Sequence, residues 1–302
     1  MTWMKLKTKR CGNETVGYFF VLPALLFMLA FIGYPIINNI ILGFQNVDVM
    51  TFNSDVKEFV GLENYIELFK DDVLRIAIPN TLFFTIGSIV FQFVIGFALA
   101  LFFNQNFSFS KPVRGILMVS WMIPITVTAL MFKFMFGANG GIINEFLLNM
   151  HIINKPVEWL VYSGTAMWAI IIANIWIGIP FNMILITTGL STIPNDIYES
   201  ANIDGASRLE KFVFITLPML KESIQAVLIL GFIYTFKVFD LVYVMTQGGP
   251  VNATEMLSTY SYKLSFTEFN FSKGASVANI LFVILFIVSL FYLKLVKEEE
   301  VM

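Results

Sequence analysis

Six long apolar segments dominate this sequence and restrict what the chain can fold into. They cover residues 17–43, 80–103, 115–136, 164–190, 223–246 and 275–296. A helix of about 20 apolar residues crosses the roughly 30 Å of hydrocarbon in a bilayer, and backbone polar groups in lipid must be satisfied within the protein. The pattern therefore predicts an all-α polytopic membrane protein with six transmembrane helices, forming a single domain over residues 1–302.

The composition supports a membrane protein and argues against other classes. Only 13% of the residues are charged and 57% are hydrophobic, whereas soluble chains carry about 25% charged residues. The net charge of -2 provides no basic surface for nucleic acid. With one cysteine, Cys11, and one histidine, His151, the chain can form neither an internal disulfide nor a histidine-based metal cluster.

The distribution of positive charge predicts the orientation of the chain. The apolar run after Arg10 extends to about Phe44, which exceeds the roughly 7–15 residues of a signal peptide, so we expect a retained first span. With the N-terminus inside, eleven Lys and Arg residues lie in inner segments and six in outer segments, as the positive-inside rule favours. The inner residues are Lys5, Lys7, Lys9, Arg10, Lys111, Arg114, Arg208, Lys211, Lys221, Lys294 and Lys297. Both termini and the 191–222 loop are therefore predicted to be cytoplasmic.

The loop at residues 191–222 is too long and too polar to be a simple turn between two spans. Asp196 is placed as the N-cap of a first helix, and Gly205 interrupts that helix. The Ser207–Glu210 spacing of a capping box restarts a helix, which we expect to end at Leu217-Pro218 because proline cannot continue the hydrogen-bond ladder. The sequence thus predicts a helix–glycine–helix element below the bilayer.

The predicted bend of this element presents small residues to the cytoplasm. They are Ala201, Asp204, Gly205 and Ala206. Small side chains let another protein approach the backbone closely, so one interpretation is a docking surface. The alternative that the residues leave open is a pair of interfacial helices lying on lipid headgroups.

The same loop resembles a family motif. Glu199-Ser200-Ala201, three residues, Gly205, nine residues and Ile215-Thr216-Leu217-Pro218 match the spacing of the EAA loop in the permeases of binding-protein-dependent ABC importers. Two positions depart from that motif. Ser200 replaces the first of its two alanines, and Glu222 stands where many members carry a second proline.

Other segments resemble the carbohydrate-uptake branch of that family, in particular the first permease chain of maltose, lactose or glycerol-phosphate systems. They are 60–65, Asn80-Thr81 and 239–250 with Thr254. The chain lacks the large extra outer domain and additional N-terminal spans of the maltose-type version. The resemblance implies a type I ABC importer permease fold in a bacterial cytoplasmic membrane, taking part in sugar import.

The resemblance also implies partners and roles. The complex would contain a second homologous permease chain, two cytoplasmic ATP-binding subunits and an extracytoplasmic solute-binding protein. Because the chain has no Gly-x-x-x-x-Gly-Lys-Ser/Thr motif, ATP and Mg²⁺ are expected on the partner ATPase, and no cofactor, metal site or catalytic residue is expected here. The residues implied to couple to the ATPase are Glu199, Ser200, Ala201, Asp204, Gly205, Ala206, Arg208, Leu217 and Pro218.

Polar side chains within the apolar segments are candidates for the solute path, because such groups are costly in a bilayer. The candidates are Asn174, Trp176, Asn182, Lys237, Asp240 and Tyr243. Amides and aromatic rings suit sugars, although they equally suit hydrogen bonds between helices. Lys237 and Asp240 are spaced so that they can pair on one helix face, either in the path or as a structural ion pair.

The outer side carries further predicted features. Short surface helices are expected near residues 58–69, with an apolar stripe at 62, 65, 66 and 69, and at 142–150. Lys133 is interpreted as a side chain that extends to the membrane surface. Gly248-Gly249-Pro250 is interpreted either as a plain turn or as an outer gate that contacts the binding protein.

Three other functions compete with a sugar permease subunit. A membrane-embedded enzyme is disfavoured because the spans hold no acid pair and the chain has one histidine. A stand-alone carrier or channel would leave the cytoplasmic loop without a purpose. Within the importer class, glycerol phosphate or another polar organic solute is the alternative to a sugar.

Overall fold

The computed structural model describes residues 11–105 and 109–299, and its first helices form an extended rod. Helix α1 (Cys11–Met28) continues through a π-helical turn at Leu29–Gly33 into α2 (Tyr34–Leu42). Its apolar part, Phe20–Leu42, is long enough to span a membrane and is not buried against the rest of the chain. The positive cluster Lys5, Lys7, Lys9 and Arg10 and part of the inner turn after the second span lie outside the described residues.

A small layer of two strands and one helix follows the first span. Strands β1 (Gln45–Asn46) and β2 (Glu58–Phe59) pair antiparallel, and helix α3 (Glu63–Lys70) comes directly after them. The Asn64 side chain donates hydrogen bonds to the carbonyls of Gly43 and Gln45 at 3.0 and 2.8 Å, and so ties α3 to the end of the first span. The predicted surface helix is therefore present, with much of its apolar stripe left exposed.

The second span is longer than predicted, and the third is broken. Helix α4 (Asp72–Phe103) begins eight residues early because the Asp71 side chain caps it by accepting from the Val73 amide at 2.6 Å. Helices α5 (Ser110–Met122) and α6 (Ile125–Met135) meet at 95°. The segment predicted as one span at 115–136 is therefore a bent pair of helices rather than one straight helix. Pro124 lacks an amide hydrogen and favours an extended conformation at Ile123, which separates the two helices.

The fourth span is a single long helix, as predicted. After the short helix α7 (Ile142–Asn149), which confirms the helix expected at 142–150, α8 extends over Ser163–Thr192. Helices α4 and α8 lie side by side and approach closely at glycines. Gly96 lies against the Asn182 side chain, and Gly178 lies against the Gln92 side chain.

The predicted helix–glycine–helix loop is present, with two differences. Helix α9 (Asn195–Ile203) and helix α10 (Arg208–Lys211) flank the turn at Gly205. The N-cap position of α9 is occupied by Pro194, so the prediction of Asp196 as N-cap is wrong; Asp196 lies inside the first turn.

The second difference is where this element ends. A π-helical turn at Phe212–Thr216 leads into the single turn α11 (Leu217–Met219), and α12 (Lys221–Phe236) follows after a bend of 63° at Leu220. The predicted end at Leu217-Pro218 is therefore wrong. Pro218 lies in the first turn of α11, where its missing amide hydrogen costs no hydrogen bond.

The fifth span is also interrupted. Helix α12 ends at Phe236, and the six-residue helix α13 (Asp240–Met245) starts after three irregular residues, so the continuous span predicted at 223–246 is wrong. Turns over 246–254 lead to α14 (Leu257–Tyr262), a π-helical turn at Lys263–Thr267 and the last span α15 (Phe271–Glu299). Four single helices and two bent pairs thus provide up to six spans.

Three apolar clusters hold the bundle together. One packs α4, α6, α8 and α13 around Phe84 and Ile170, and a second packs α3, α4, α14 and α15 around Leu74. The third joins α4, α8 and α12 to the loop at 191–222 around Met183 and Leu220. Many large side chains remain exposed outside these clusters, as expected for helices whose outer faces lie in lipid.

Candidate functional site

A cavity of about 410 Å³ lies between α4, α8 and the interrupted end of α12. Its polar lining includes Gln92, Asn174, Asn182, Lys237 and Asp240, and its aromatic lining includes Trp121, Phe181, Tyr234 and Phe239. Phe181 contacts both Trp121 and Tyr234, at ring-centroid distances of 5.9 and 6.0 Å. A cavity lined by aromatic faces and a few polar groups is typical of small-molecule sites.

The amides between α4 and α8 form the polar wall of this cavity. The Gln92 side chain donates to the Asn174 carbonyl at 2.8 Å, and the Asn182 side chain donates to the Gly178 carbonyl at 2.8 Å. Among the described residues, the buried polar side-chain atoms without a hydrogen-bond partner are Thr85 Oγ1, Ser88 Oγ and Asn174 Nδ2. Leaving a buried donor unpaired is costly. The Asn174 amide is therefore available to a hydroxyl group that enters the cavity.

Lys237 and Asp240 both line the cavity, yet the helix break separates them. Lys237 ends α12 and Asp240 begins α13, so the predicted arrangement on one helix face is wrong. Within the described part of the chain they form no ion pair with each other. The Lys237 ammonium instead lies 5.3 Å from the ring centroid of Tyr234, in a cation–π contact.

Two predicted path residues lie outside the lining of this cavity. Trp176 is on α8 with 47% of its surface exposed, and Trp121 of α5 supplies the indole ring of the cavity instead. Tyr243 of α13 stacks on Phe239, with ring centroids 5.1 Å apart. Gln92, Trp121 and Tyr234 were missed by the sequence analysis, although a glutamine within an apolar segment was a usable signal.

The turns over 246–254 and the residues that follow them are held by two neighbouring residues of α4. Asn80 of α4 donates to the carbonyls of Asn252, Ala253 and Glu255, and the Thr81 hydroxyl accepts from the Leu257 amide at 3.0 Å. Within the turns, the Thr254 hydroxyl donates to the Gly249 carbonyl at 2.6 Å. Gly248-Gly249-Pro250 therefore lies in an anchored turn rather than in a free loop.

Lys133 makes a contact that the sequence analysis did not predict. Its ammonium donates to the Val244 carbonyl at 2.9 Å, in the last turn of α13. The end of a short helix offers unsatisfied carbonyls, which attract a cation. Extension of this side chain to the membrane surface stays a prediction.

Glu255 is a buried carboxyl group that the sequence analysis missed. It is only 2% exposed, and the Thr259 hydroxyl donates to its Oε1 at 2.5 Å. Burial raises the pKa of Glu255 above its ordinary value, while the hydrogen bond from Thr259 and the charge of Lys263 act in the opposite direction. Glu255 stands directly before the apolar pair Met256-Leu257, and this is the sequence feature that could have indicated its burial.

The 191–222 loop forms a second candidate surface, away from the cavity. Gly205 has φ +80°, and a Cβ atom placed there would meet nothing within 4 Å. Asp204, Gly205 and Ala206 line a groove of about 340 Å³ together with Glu210, Lys211, Phe214 and Ile215. Of the other predicted coupling residues, Glu199, Ser200, Arg208 and Pro218 are exposed, Ala201 and Leu217 are half-buried, and none of the six lines this groove.

Local contacts give this surface a fixed shape. The capping box predicted at Ser207 and Glu210 is present, with side-chain–backbone bonds of 2.7 and 3.3 Å. The Tyr198 hydroxyl bonds the Thr216 hydroxyl at 2.9 Å, which joins α9 to the π-helical turn. Ile203 is nevertheless 87% exposed. The parts of the loop are thus joined by hydrogen bonds, and an apolar residue is left uncovered at the end of α9.

Comparison with known proteins connects this geometry to a family. Residues 92–297, more than half of the chain, match the profile of the family described as binding-protein-dependent transport system inner membrane component. A trehalose/maltose transport system permease protein of Thermococcus litoralis is 34% identical over 282 residues, covering 92% of each chain. A lactose transport system permease protein of Rhizobium radiobacter is 31% identical and covers 94% of this chain and 95% of its own.

Chains of known structure share the fold of this protein. A chain of a bacterial ABC transporter involved in the import of the acidic polysaccharide alginate superposes with a TM-score of 0.80 and 24% identity, covering 95% of this chain and 96% of that chain. The same kind of transporter in complex with an alginate pentasaccharide-bound periplasmic protein superposes with a TM-score of 0.77. The all-α importer-permease fold predicted from the sequence is confirmed.

Proposed function

Because the chain belongs to the family of binding-protein-dependent transport system inner membrane components, we propose that it is one permease subunit of an ATP-driven sugar importer. It provides half of the path through the membrane and hydrolyses no ATP itself. The observation that carries the proposal is the combination of a polar and aromatic cavity in the bundle with an exposed loop at 191–222. The trehalose/maltose and lactose transport names of two relatives support a sugar as the solute.

The loop is proposed to dock on a cytoplasmic ATPase subunit. Gly205 bends the chain sharply, and the groove beside it is open, mixed in charge and bordered by the exposed ring of Phe214. A cleft on the ATPase that accepts α9 would cover Ile203, which is almost fully exposed in the single chain. Burying such an apolar residue favours association.

The cavity is proposed to hold the solute in transit. The free Asn174 amide and the Asn182 side chain offer hydrogen bonds to hydroxyl groups, and Trp121, Phe181 and Tyr234 offer ring faces. Sugars present both kinds of surface, since their hydroxyls are polar and the faces of their rings are apolar. Lys237 and Asp240 add one charge of each sign at the same wall.

The 191–222 loop can drive transport through the cavity if both belong to one part of the protein that switches between two conformations. Helix α12 connects them, because it starts next to the docking loop and ends at the cavity. ATP-driven movement of the loop would tilt α12 and change which side of the membrane the cavity faces. The partners in this scheme are a second permease chain, two ATPase subunits and an extracytoplasmic binding protein, with both termini of this chain in the cytoplasm.

The proposal is tested by blocking the docking surface with a bulky side chain. We expect Gly205→Arg to insert normally into the membrane and to abolish ATP-dependent sugar uptake, because the arginine fills the open space at the bend. Uptake is measured in cells, and copurification of the ATPase is measured from the same membranes. Normal uptake by this variant would contradict the assignment of the loop.

A matched control is available at Gly140. This glycine also has a positive φ, of +73°, and a Cβ atom there would also meet nothing within 4 Å. Gly140→Arg therefore imposes similar backbone strain and a similar bulk at the turn between α6 and α7, far along the chain from the loop. It should keep the ATPase bound and retain uptake.

A further inference from the structure

Four aromatic side chains form a continuous series that starts at the cavity and leads away from it. We call Phe239, Tyr243, Tyr262 and Phe266 the aromatic ladder. Phe239 lies 5.1 Å from Tyr243 and 4.9 Å from Tyr262, Tyr243 lies 5.0 Å from Tyr262, and Tyr262 lies 5.0 Å from Phe266, all between ring centroids. Two separate elements, α13 and the turn after α14, are brought together by these contacts.

The rings of the ladder are not part of the core. Phe239, Tyr243 and Tyr262 are half-buried, and Phe266 is 61% exposed. Ring pairs in tilted or stacked contact stabilise one another, but a packing role would leave less of the terminal ring uncovered. Each ring therefore keeps part of its surface available to something outside the chain.

Charged neighbours indicate that the ladder faces a hydrated path rather than lipid. In the sequence, Lys237 and Asp240 stand on either side of Phe239, and Lys263 and Glu268 stand on either side of Phe266. Charged side chains are costly when they face hydrocarbon. By contrast, exposed rings on the lipid side, such as Phe291 of α15, stand among apolar neighbours such as Leu290 and Leu293.

The ladder is also continuous with the cavity. Phe239 belongs to both, since it lines the cavity and contacts two further rings of the ladder. Within the cavity, Trp121, Phe181 and Tyr234 form their own connected set of rings. A molecule that leaves the ladder at Phe239 therefore enters a cavity that offers further ring faces at Trp121, Phe181 and Tyr234, beside the amide of Asn174.

We propose that the aromatic ladder is a binding site for sugar rings outside the cavity, along which an oligosaccharide is handed from the outer surface to the cavity. This inference rests on the proposed function. The apolar faces of pyranose rings stack on the exposed rings, and the hydroxyls of Tyr243 and Tyr262 provide hydrogen-bonding groups beside them. The site would serve a solute of several sugar units, because it extends the available ring surface beyond the cavity.

The test compares short and long sugars in the complete transport complex in proteoliposomes at saturating binding protein. The probes are maltose with maltopentaose, and chitobiose with chitopentaose. Phe266→Leu keeps the apolar volume but removes the flat ring. We expect it to lower the uptake rate of the five-unit sugar roughly two- to tenfold relative to that of the disaccharide, the range expected for the loss of one aromatic contact.

One control variant and three further outcomes decide whether the ladder binds sugar rings. Phe291→Leu, at an exposed ring remote from the ladder, should change neither rate. Equal effects of Phe266→Leu on both sugars, or none, would overturn the ladder while leaving the importer function intact. Loss of the second permease chain from the purified variant would overturn it as well, because the rings would then be a subunit contact. Uptake of neither pair by the wild-type complex would overturn the ladder as a site for these sugar rings, while the importer function is judged separately by the Gly205→Arg test.

Discussion

At the scale of single residues, the wall of the cavity depends on a glycine. A Cβ atom at Gly178 would lie 2.2 Å from Cδ of Gln92, whose side chain is buried and donates to the Asn174 carbonyl. Any larger residue at 178 forces the Gln92 amide away from α8. The close approach of α4 and α8, and with it the placement of the Asn174 amide, therefore requires this glycine.

We predict that Gly178→Ala destabilises the protein by about 1–3 kcal/mol, the usual cost of overpacking a filled interior. The measurement is the thermal unfolding temperature of the purified chain in detergent. Gly164→Ala is the control on the same helix, because a Cβ atom there meets nothing within 4 Å, and alanine favours a helix. Equal unfolding temperatures for the two variants would contradict the packing described for Gln92.

Residue-level reasoning from the sequence found part of the cavity. Asn174, Asn182, Lys237 and Asp240 were candidates because polar groups in apolar segments are costly, and all four line it. Trp121 and Tyr234 could not be distinguished from the other aromatic residues, since their role depends on which helices pack together. What these residues do in transport stays a prediction.

At the scale of elements, local signals predicted some features and tertiary contacts decided others. The Ser207–Glu210 capping box and the turn at Gly205 are local, and both were predicted correctly. The break between α5 and α6 had a local signal in Pro124. The break after Phe236 had none, because residues 237–239 include neither proline nor glycine. It is accompanied by a hydrogen bond from the Ser258 hydroxyl to the Val238 carbonyl.

The stability of the turns between α13 and α14 should depend on pH, because the buried carboxyl group of Glu255 lies there. Burial raises the pKa of Glu255, so the folded state favours its neutral form. Its contribution to stability is therefore complete below the ordinary value of 4.5 and is lost as the pH rises through the higher pKa of the folded state. The 246–259 segment should consequently open more readily at about pH 8 than at about pH 5.

Hydrogen exchange of this segment at the two pH values, corrected for intrinsic exchange rates, measures the effect. Glu255→Gln keeps the shape of the side chain and cannot ionise, so its protection should not fall with rising pH. If wild type and variant lose protection equally between the two pH values, the carboxyl group is not responsible.

At the scale of the whole molecule, the six apolar segments predicted the architecture well. Four appear as single helices, the third as a bent pair and the fifth as α12 and α13 separated by a break, and the superposition on an importer chain shows the same fold. The sequence predicted this because length and hydropathy alone define a span. It did not predict how the spans enclose a cavity, since that depends on contacts such as those at Gly96 and Gly178.

The whole molecule also presents surfaces that a single chain leaves uncovered. The first span contributes no buried residues, Ile203 projects from the docking loop, and Lys237, Asp240 and Tyr234 are exposed at one side of the cavity. These three regions lie on different elements. They fit a subunit that is completed by a second permease chain and an ATPase, which is the central claim of this account.

The most direct test of that claim is copurification from the native membrane. The full-length chain is tagged, extracted gently, and its stoichiometric companions are identified by mass spectrometry. We expect a second six-span permease chain and an ATPase that carries a P-loop. A chain that purifies alone, or with no ATPase, would contradict the account and return the protein to the class of stand-alone carriers or channels.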